Sequence, residues 1–285
     1  MSNQVPVSFE VYPPRDQNSG ESLESSIIEL AKLSPDFISV TFGAGGSSTK
    51  NSLEVLKFIR DSTPASALAH LTCVGHSFLE TKSLVSQFMD SGITDFLALR
   101  GDLQEGMPHE PKGELKSSSE LVQLISQVQR ERGKDRSDLK VAVATFPNGH
   151  PDSDSIDQDV QALLAKQTAG ADYAITQLFF FVEDYVAFVK LAREAGVTIP
   201  ILPGIMPVTS MQRLKRVIEL TGEENPLDLA KKLDTSSKED SKQAGIDWAA
   251  NLVTGLVDAG APGVHLYAFN QHESVTQVLQ RSGIR

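Results

Sequence analysis

Four short stretches carry side chains able to move protons or grip a charged ligand: SFEVYPPR at 8–15, LRGD at 99–102, ATFPNGHP at 144–151 and ITQLFF at 175–180. Each begins as an apolar, strand-like run and ends in polar or ionisable residues. Glu10 is the sharpest of them. It lies between Phe9 and Val11, just ahead of Pro13-Pro14. A carboxyl group in such surroundings loses hydration, which favours its neutral form. A neutral acid near neutral pH is what general acid catalysis requires. The same residue could instead be a structural carboxylate paired with Arg15 or another cation, and on residue type alone the two readings stand level. Asp102 follows Arg100-Gly101. Glycine lets the backbone approach a ligand closely, so the Arg and Asp can address different parts of it. An isolated Arg–Asp surface pair is the competing reading, weakened by the apolar strand that precedes it.

Other chemistries find less support. TFGAGGSST at 41–49 could cradle a phosphate, but it matches neither GxxxxGK[ST] nor GxGxxG, and a tight strand-to-helix turn explains it as well. The six histidines show no HxH or HExxH spacing, and no metal centre is expected. Cys73 is the single cysteine. Its place in ALAHLTCV fits a small core residue, and one cysteine cannot build a disulfide framework. No strand ends in a lysine suited to Schiff-base chemistry.

These residues need a scaffold that brings them together. Eight apolar runs of strand length recur: 7–12, 37–42, 67–73, 95–100, 140–146, 173–180, 199–206 and 263–269. Their continuous hydrophobicity fits strands covered on both sides. Segments with helical spacing lie between them, such as Leu23, Ile27, Leu30 and Leu33. Eight β-then-α units predict a closed (β/α)₈ TIM-type barrel, an α/β fold with extra helices. The chain has 285 residues, and such a barrel needs about 250, so one domain over 1–285 is expected. The polar stretch 103–119 reads as a long loop after the fourth strand, and 225–245 as an extra helix and turn. In a barrel the functional residues gather at the carboxyl ends of the strands. Those ends read Glu10, Thr41, His70, Arg100 with Asp102, His150, Gln177 and Tyr267, a set able to hold a polar cofactor and transfer protons. The formal net charge of −11, from 37 acidic and 26 basic residues, argues against nucleic acid or anionic membranes as partners. No signal peptide or apolar span is evident, and a cytoplasmic location is expected.

In their order and strand placement, SFEVYPPR, SVTFGAGGSS, HLTC, LRGD, HPDS, AGADYAITQLFF, PGIMPV and HLYAFN give a chain that resembles the short bacterial methylenetetrahydrofolate reductases over nearly its whole length. The resemblance implies a (β/α)₈ barrel with FAD at its carboxyl face and a homo-oligomer. It implies reduction of 5,10-methylenetetrahydrofolate to 5-methyltetrahydrofolate, with NADH or NADPH reducing the flavin first and the folate then taking the same place. Glu10 matches the family's general acid. Asp102 matches its carboxylate near flavin and pterin. Gln177 matches an amide that contacts both substrates. Thr41, Phe42, His70, Arg100, Gly101, Asp102, Phe146, His150, Asp159 and Lys166 fall at FAD positions. Tyr267 and Gln271 fall at folate positions. Phe42 and Phe146 stand where tyrosines are frequent, and Gln271 where some members carry a folate-binding arginine. Two alternatives remain: a folate- or pterin-binding one-carbon transferase barrel without hydride transfer, and a flavin-binding relative without turnover.

Overall fold

Each strand of the chain turns one set of side chains outward and the next inward, and the outward set is almost uniformly apolar. Val7, Phe9 and Val11, Ile38 and Val40, Ala69 and Leu71, Phe96 and Ala98, and Val141 and Val143 all join one large buried cluster with the helices. A ring of helices around a parallel sheet is the arrangement that buries such faces. The computed structural model describes residues 4–14, 17–42, 49–101, 114–235 and 237–285. Its strands are β1 (Val7–Val11), β2 (Phe37–Val40), β3 (Ser66–Thr72), β4 (Asp95–Leu99), β5 (Lys140–Thr145), β6 (Tyr173–Leu178), β7 (Ile201–Ile205) and β8 (Val264–Tyr267). All pair in parallel, in sequence order, and β8 closes on β1. The expected (β/α)₈ barrel is therefore present.

Helices follow the strands in turn: α1 (Gln17–Ala31), α2 (Thr49–Ser62), α3 (Phe78–Asp90), α4 (Ser118–Glu131), α5 (Ile156–Thr168), α6 (Val182–Glu194), α7 (Met211–Thr221), α8 (Leu227–Leu233), α9 (Lys238–Asp258) and α10 (His272–Arg281). Their starts are written in the sequence. Ser77 with Glu80, and Ser117 with Glu120, form reciprocal capping boxes at α3 and α4. Ser155 and Ser210 cap α5 and α7. The extra helix expected in 225–245 is α8, and the same stretch also contains the start of α9. Much of the loop expected at 103–119, and most of TFGAGGSST, lies outside the described residues.

The inward faces depart from the continuous hydrophobicity of the runs. Towards the amino-terminal end the interior is apolar, with Phe37, Leu68, Leu97, Ala142 and Ile175 packed together. Among the buried polar residues are Ser8, Glu10, Ser39, Thr41, His70 and His265, which alternate with the outward apolar set and so face the barrel axis. Small and polar side chains thus line the barrel axis above the apolar layer.

Two local features fix the cup's wall between β6, β8 and β1. A Cβ on Gly204 would overlap the Thr176 carbonyl oxygen and approach the Tyr267 hydroxyl at 2.8 Å, so β7 can pass only as glycine. After β8 the chain turns through two left-handed residues that are not glycine, Phe269 (φ 46°) and Asn270 (φ 59°). Asparagine tolerates this region because its side chain bonds locally. Here Asn270 Nδ2 donates to the Tyr12 carbonyl at 3.0 Å, and its Oδ1 accepts from the Tyr12 amide at 2.8 Å. Two stability effects are expected. Gly204→Ala lowers stability by about 1–3 kcal/mol through overpacking. Asn270→Ala costs about 1–3 kcal/mol because both Tyr12 backbone groups lose their partner. Urea denaturation of each variant checks these values, and unchanged midpoints would refute them.

Candidate active site

Register builds the centre of the site. Glu10 pairs with Ser39 on β2 and with Tyr267 on β8. Its carboxyl group is buried inside the cup, with Oε2 3.6 Å from His70 Nε2 and 3.8 Å from His265 Nε2. Neither imidazole nitrogen has a hydrogen-bond partner. His265 Nδ1 lies 2.8 Å from Ser8 Oγ, and Ser8 Oγ also donates to the Val264 carbonyl at 3.4 Å. The Ser8–His265 bond holds the imidazole ring with Nε2 towards Glu10. Burial lowers the His70 pKa, against the pull of Glu10 and with that of His265, so His70 is neutral at pH 7. The Tyr267 hydroxyl donates to the Thr176 carbonyl at 2.8 Å. Burial, then Glu10 and Tyr12, raise its pKa, and the phenol stays neutral. Two imidazoles and a phenol thus surround the buried Glu10 carboxyl group.

A second, charged arc runs from β4 to α5. Gly101 adopts φ 91°, and a Cβ there would meet Val74 Cγ1 at 2.6 Å, so the turn after β4 needs glycine. Arg100 extends from this turn and pairs with Asp152 at 2.8 Å. The His150 amide donates to Asp159 Oδ2 at 3.1 Å, and Ser153 donates to Asp159 Oδ1 at 3.0 Å. The Phe146 and His150 rings meet edge to face at 4.6 Å. Lys166 donates to the Ala144 carbonyl at 2.8 Å. Burial lowers its pKa to about 8, with Asp159 opposing and Arg100 reinforcing the shift. Phe42 sits edge-on to Phe88 at 6.3 Å. Thr41 Oγ1 is buried without a partner. Unpartnered donors, two cations and a glycine turn make a donor set that fits a large ligand carrying anionic phosphates and a polar ring. Among the described residues, no cluster of His, Cys, Asp or Glu is placed to hold a metal.

Gln177 lies where the β6–β7 register shifts, between Ile175 and Leu178. Such irregularities re-aim side chains beside active sites. Its Oε1 accepts from the Leu178 amide at 2.9 Å, which leaves the Nε2 donors for a ligand. Gln271 is exposed at the start of α10. Asp102 lies outside the described residues. Cys73 is a buried core residue, and burial pushes its thiol up to about 11. A cavity of about 790 Å³ opens at the other end of the barrel, against Phe37, Asp95, Lys140, Tyr173 and Leu202. It shares no residue with the cup, and barrel chemistry sits at the carboxyl end.

Sequence reasoning missed His265, Ser8, Tyr12 and Asn270. A signal existed for two of them. Ser8 and Glu10, like His265 and Tyr267, are two apart on a strand and so share its inward face.

With this geometry in view, comparison with known proteins is specific. The family model for methylenetetrahydrofolate reductase matches residues 1–283. The 5,10-methylenetetrahydrofolate reductase of Escherichia coli (strain K12) is 33% identical, covering 100% of this chain and 93% of its own. The 5,10-methylenetetrahydrofolate reductase of Buchnera aphidicola subsp. Acyrthosiphon pisum (strain APS) is 31% identical, covering 99% and 93%. Among solved structures, an uncharacterized protein from Clostridium thermocellum that binds two copies of 5-methyl-5,6,7,8-tetrahydrofolic acid superposes with a TM-score of 0.66 at 14% identity, covering 98% of this chain and 94% of its own. That likeness shows the fold alone. No helix among the described residues is long and apolar enough to cross a membrane. The match along almost the entire length, joined to full-length relatives above 30% identity, means that the chain belongs to the methylenetetrahydrofolate reductase family of oxidoreductases.

Proposed function

We propose that the chain reduces 5,10-methylenetetrahydrofolate to 5-methyltetrahydrofolate in a ping-pong sequence, with NADH or NADPH as reductant, FAD as carrier and Glu10 as general acid. The observation that carries this reading is the buried Glu10 carboxyl set against two imidazole nitrogens that lack other partners. FAD, when bound, supplies a two-electron carrier between the nicotinamide and the folate. Thr41, Phe42, His70, Arg100, Gly101, Phe146, His150, Asp159 and Lys166 would hold it, with Arg100 and Lys166 balancing phosphate charge. The single barrel over 1–285, a homo-oligomeric assembly and a cytoplasmic location belong to the same reading.

Glu10 gives its proton to N10 of the folate. The bond between N10 and the bridging carbon breaks, and an iminium cation forms at N5. Hydride addition to that carbon completes the methyl group. Glu10 is left as a carboxylate beside His70 and His265. Asp102, which follows Gly101 in the sequence, would stabilise the cation. Gln177 Nε2 would position each substrate in turn.

The reaction is tested anaerobically with FAD-loaded protein. NADH should bleach the flavin absorbance and methylenetetrahydrofolate should restore it; failure of either half refutes the proposal. In Glu10→Gln, bleaching by NADH should persist while recovery slows by roughly 10²–10⁴-fold. If recovery keeps its rate, Glu10 is not the acid. FAD affinity should also depend on pH through Lys166. An anionic ligand binds better to the protonated amine, so affinity is flat below about 8 and falls by up to about tenfold per pH unit above it. Fluorescence titration of the apoprotein should show this fall, and Lys166→Met should flatten it. A wild-type profile that is flat through this range removes Lys166 from the phosphate site.

A further inference from the structure

The amino-terminal end of the barrel gathers its own set of groups, far from the cup. Phe37 opens β2, Asp95 opens β4, Lys140 opens β5 and Tyr173 opens β6. Asp95, Lys140 and Tyr173 each stand two residues before a member of the inner apolar layer, Leu97, Ala142 and Ile175, and so share its inward face. Leu202 of β7 packs against the same layer. These five residues line the cavity of about 790 Å³ at this end. Small-molecule sites typically measure about 300–1,000 Å³ and join apolar walls to a few convergent polar groups. Here the Phe37 and Tyr173 rings, with centroids 5.8 Å apart, make an aromatic wall.

Most charges around this cavity are already engaged. Arg136 pairs with Asp172 at 2.8 Å and donates to the Gly170 carbonyl at 2.8 Å. Asp172 also accepts from the Val141 amide at 2.6 Å. Burial lowers the Arg285 pKa and Asp36 pulls it back, so Asp36 has a cation of its own. Asp95 and Lys140 are the exception. Among the described residues neither has a partner of opposite charge within ion-pair distance, although they are register partners on neighbouring strands. Burial raises the Asp95 pKa, against the pull of Lys140 and of the Ser66 and Thr94 hydroxyls and with the push of Asp172. The Asp95 carboxylate is therefore short of positive charge, and the exposed Lys140 ammonium stands beside it across strands about 4.8 Å apart.

We propose that this cavity binds an α-amino acid with a large apolar side chain, its ammonium on Asp95, its carboxylate on Lys140 and its side chain against Phe37, Tyr173 and Leu202. Opposite charges borne by one carbon match an acid and a base carried by adjacent strand ends. A ligand that is only a cation leaves Lys140 repelled, and one that is only an anion meets Asp95. The apolar wall then selects among zwitterions by the size of the side chain. No lining residue belongs to the cup, so the inference stands apart from the folate reading.

Isothermal titration calorimetry of the whole chain tests this with four probes: L-phenylalanine, phenethylamine without the carboxylate, 3-phenylpropionate without the ammonium, and glycine without the side chain. Wild type should prefer L-phenylalanine to 3-phenylpropionate by about tenfold, the factor that one charge-assisted hydrogen bond of about 1.4 kcal/mol supplies. Its preference over phenethylamine should be about threefold, because Lys140 is exposed and its charge is screened. Glycine should bind at least about tenfold more weakly than L-phenylalanine. Asp95→Asn should weaken L-phenylalanine and phenethylamine but not 3-phenylpropionate. Lys140→Gln should weaken L-phenylalanine and 3-phenylpropionate but not phenethylamine. A wild type that binds none of the probes, or ranks the three aromatic ones alike, would overturn the proposal. So would variants that weaken every probe equally, or none. Should Asp95→Asn fail to fold, the exposed Lys140→Gln and the wild-type ranking decide the matter alone.

Discussion

Closure of β8 onto β1 is the constraint on which the site depends. It sets Glu10 beside Tyr267 and Ser8 beside His265 in a single parallel register. Because side chains alternate, this pairing leaves Phe9 and Val11 in the helix-facing core and forces the carboxyl group of Glu10 inward. A slip of one residue would turn the acid towards the helices and a phenylalanine into the cup. Burying an acid is costly, and the outer core supplies the stability that lets the inner face be polar.

The cup divides into two electrostatic regions. Around Glu10 the groups are neutral and buried: His70 is kept uncharged by desolvation, and Tyr267 keeps its proton. From Arg100 to Lys166 the groups are charged and partly wet, and they lean on one another through Asp152 and Asp159. The first region suits a proton that must be held until a substrate arrives. The second suits an anion that must be gripped throughout. One fold hosts both because neighbouring strands deliver residues of different character to the same end.

Much of this was legible in the sequence. Eight apolar runs separated by helical spacing are a local signal, and the barrel follows from it. Glu10 stood out because a carboxylate amid Phe9, Val11 and two prolines conflicts with its neighbours, and the structure buries it. The glycine at 101 was readable because it follows an apolar strand and precedes a charged residue. His265 was not, since VHLY looks like any strand and its partner Ser8 lies 257 positions away. Asn270 was hidden because its left-handed geometry is imposed by Tyr12 rather than by a turn motif. Pairwise contacts across a closed sheet have no periodicity of their own, so the identity of the barrel could be read while the lining of its cup could not.

That separation of 257 positions between Ser8 and His265 has a consequence for biogenesis. While the ribosome has yet to deliver β8, β1 has only one neighbour, its far edge is unpaired, and the acid it carries stands open to water. Contacts of such long sequence range form late and slowly. Any stage that folds before β8 is added is open, with two unpaired margins of the kind that chaperones shield. The surroundings of Glu10 are complete only when the cylinder is sealed.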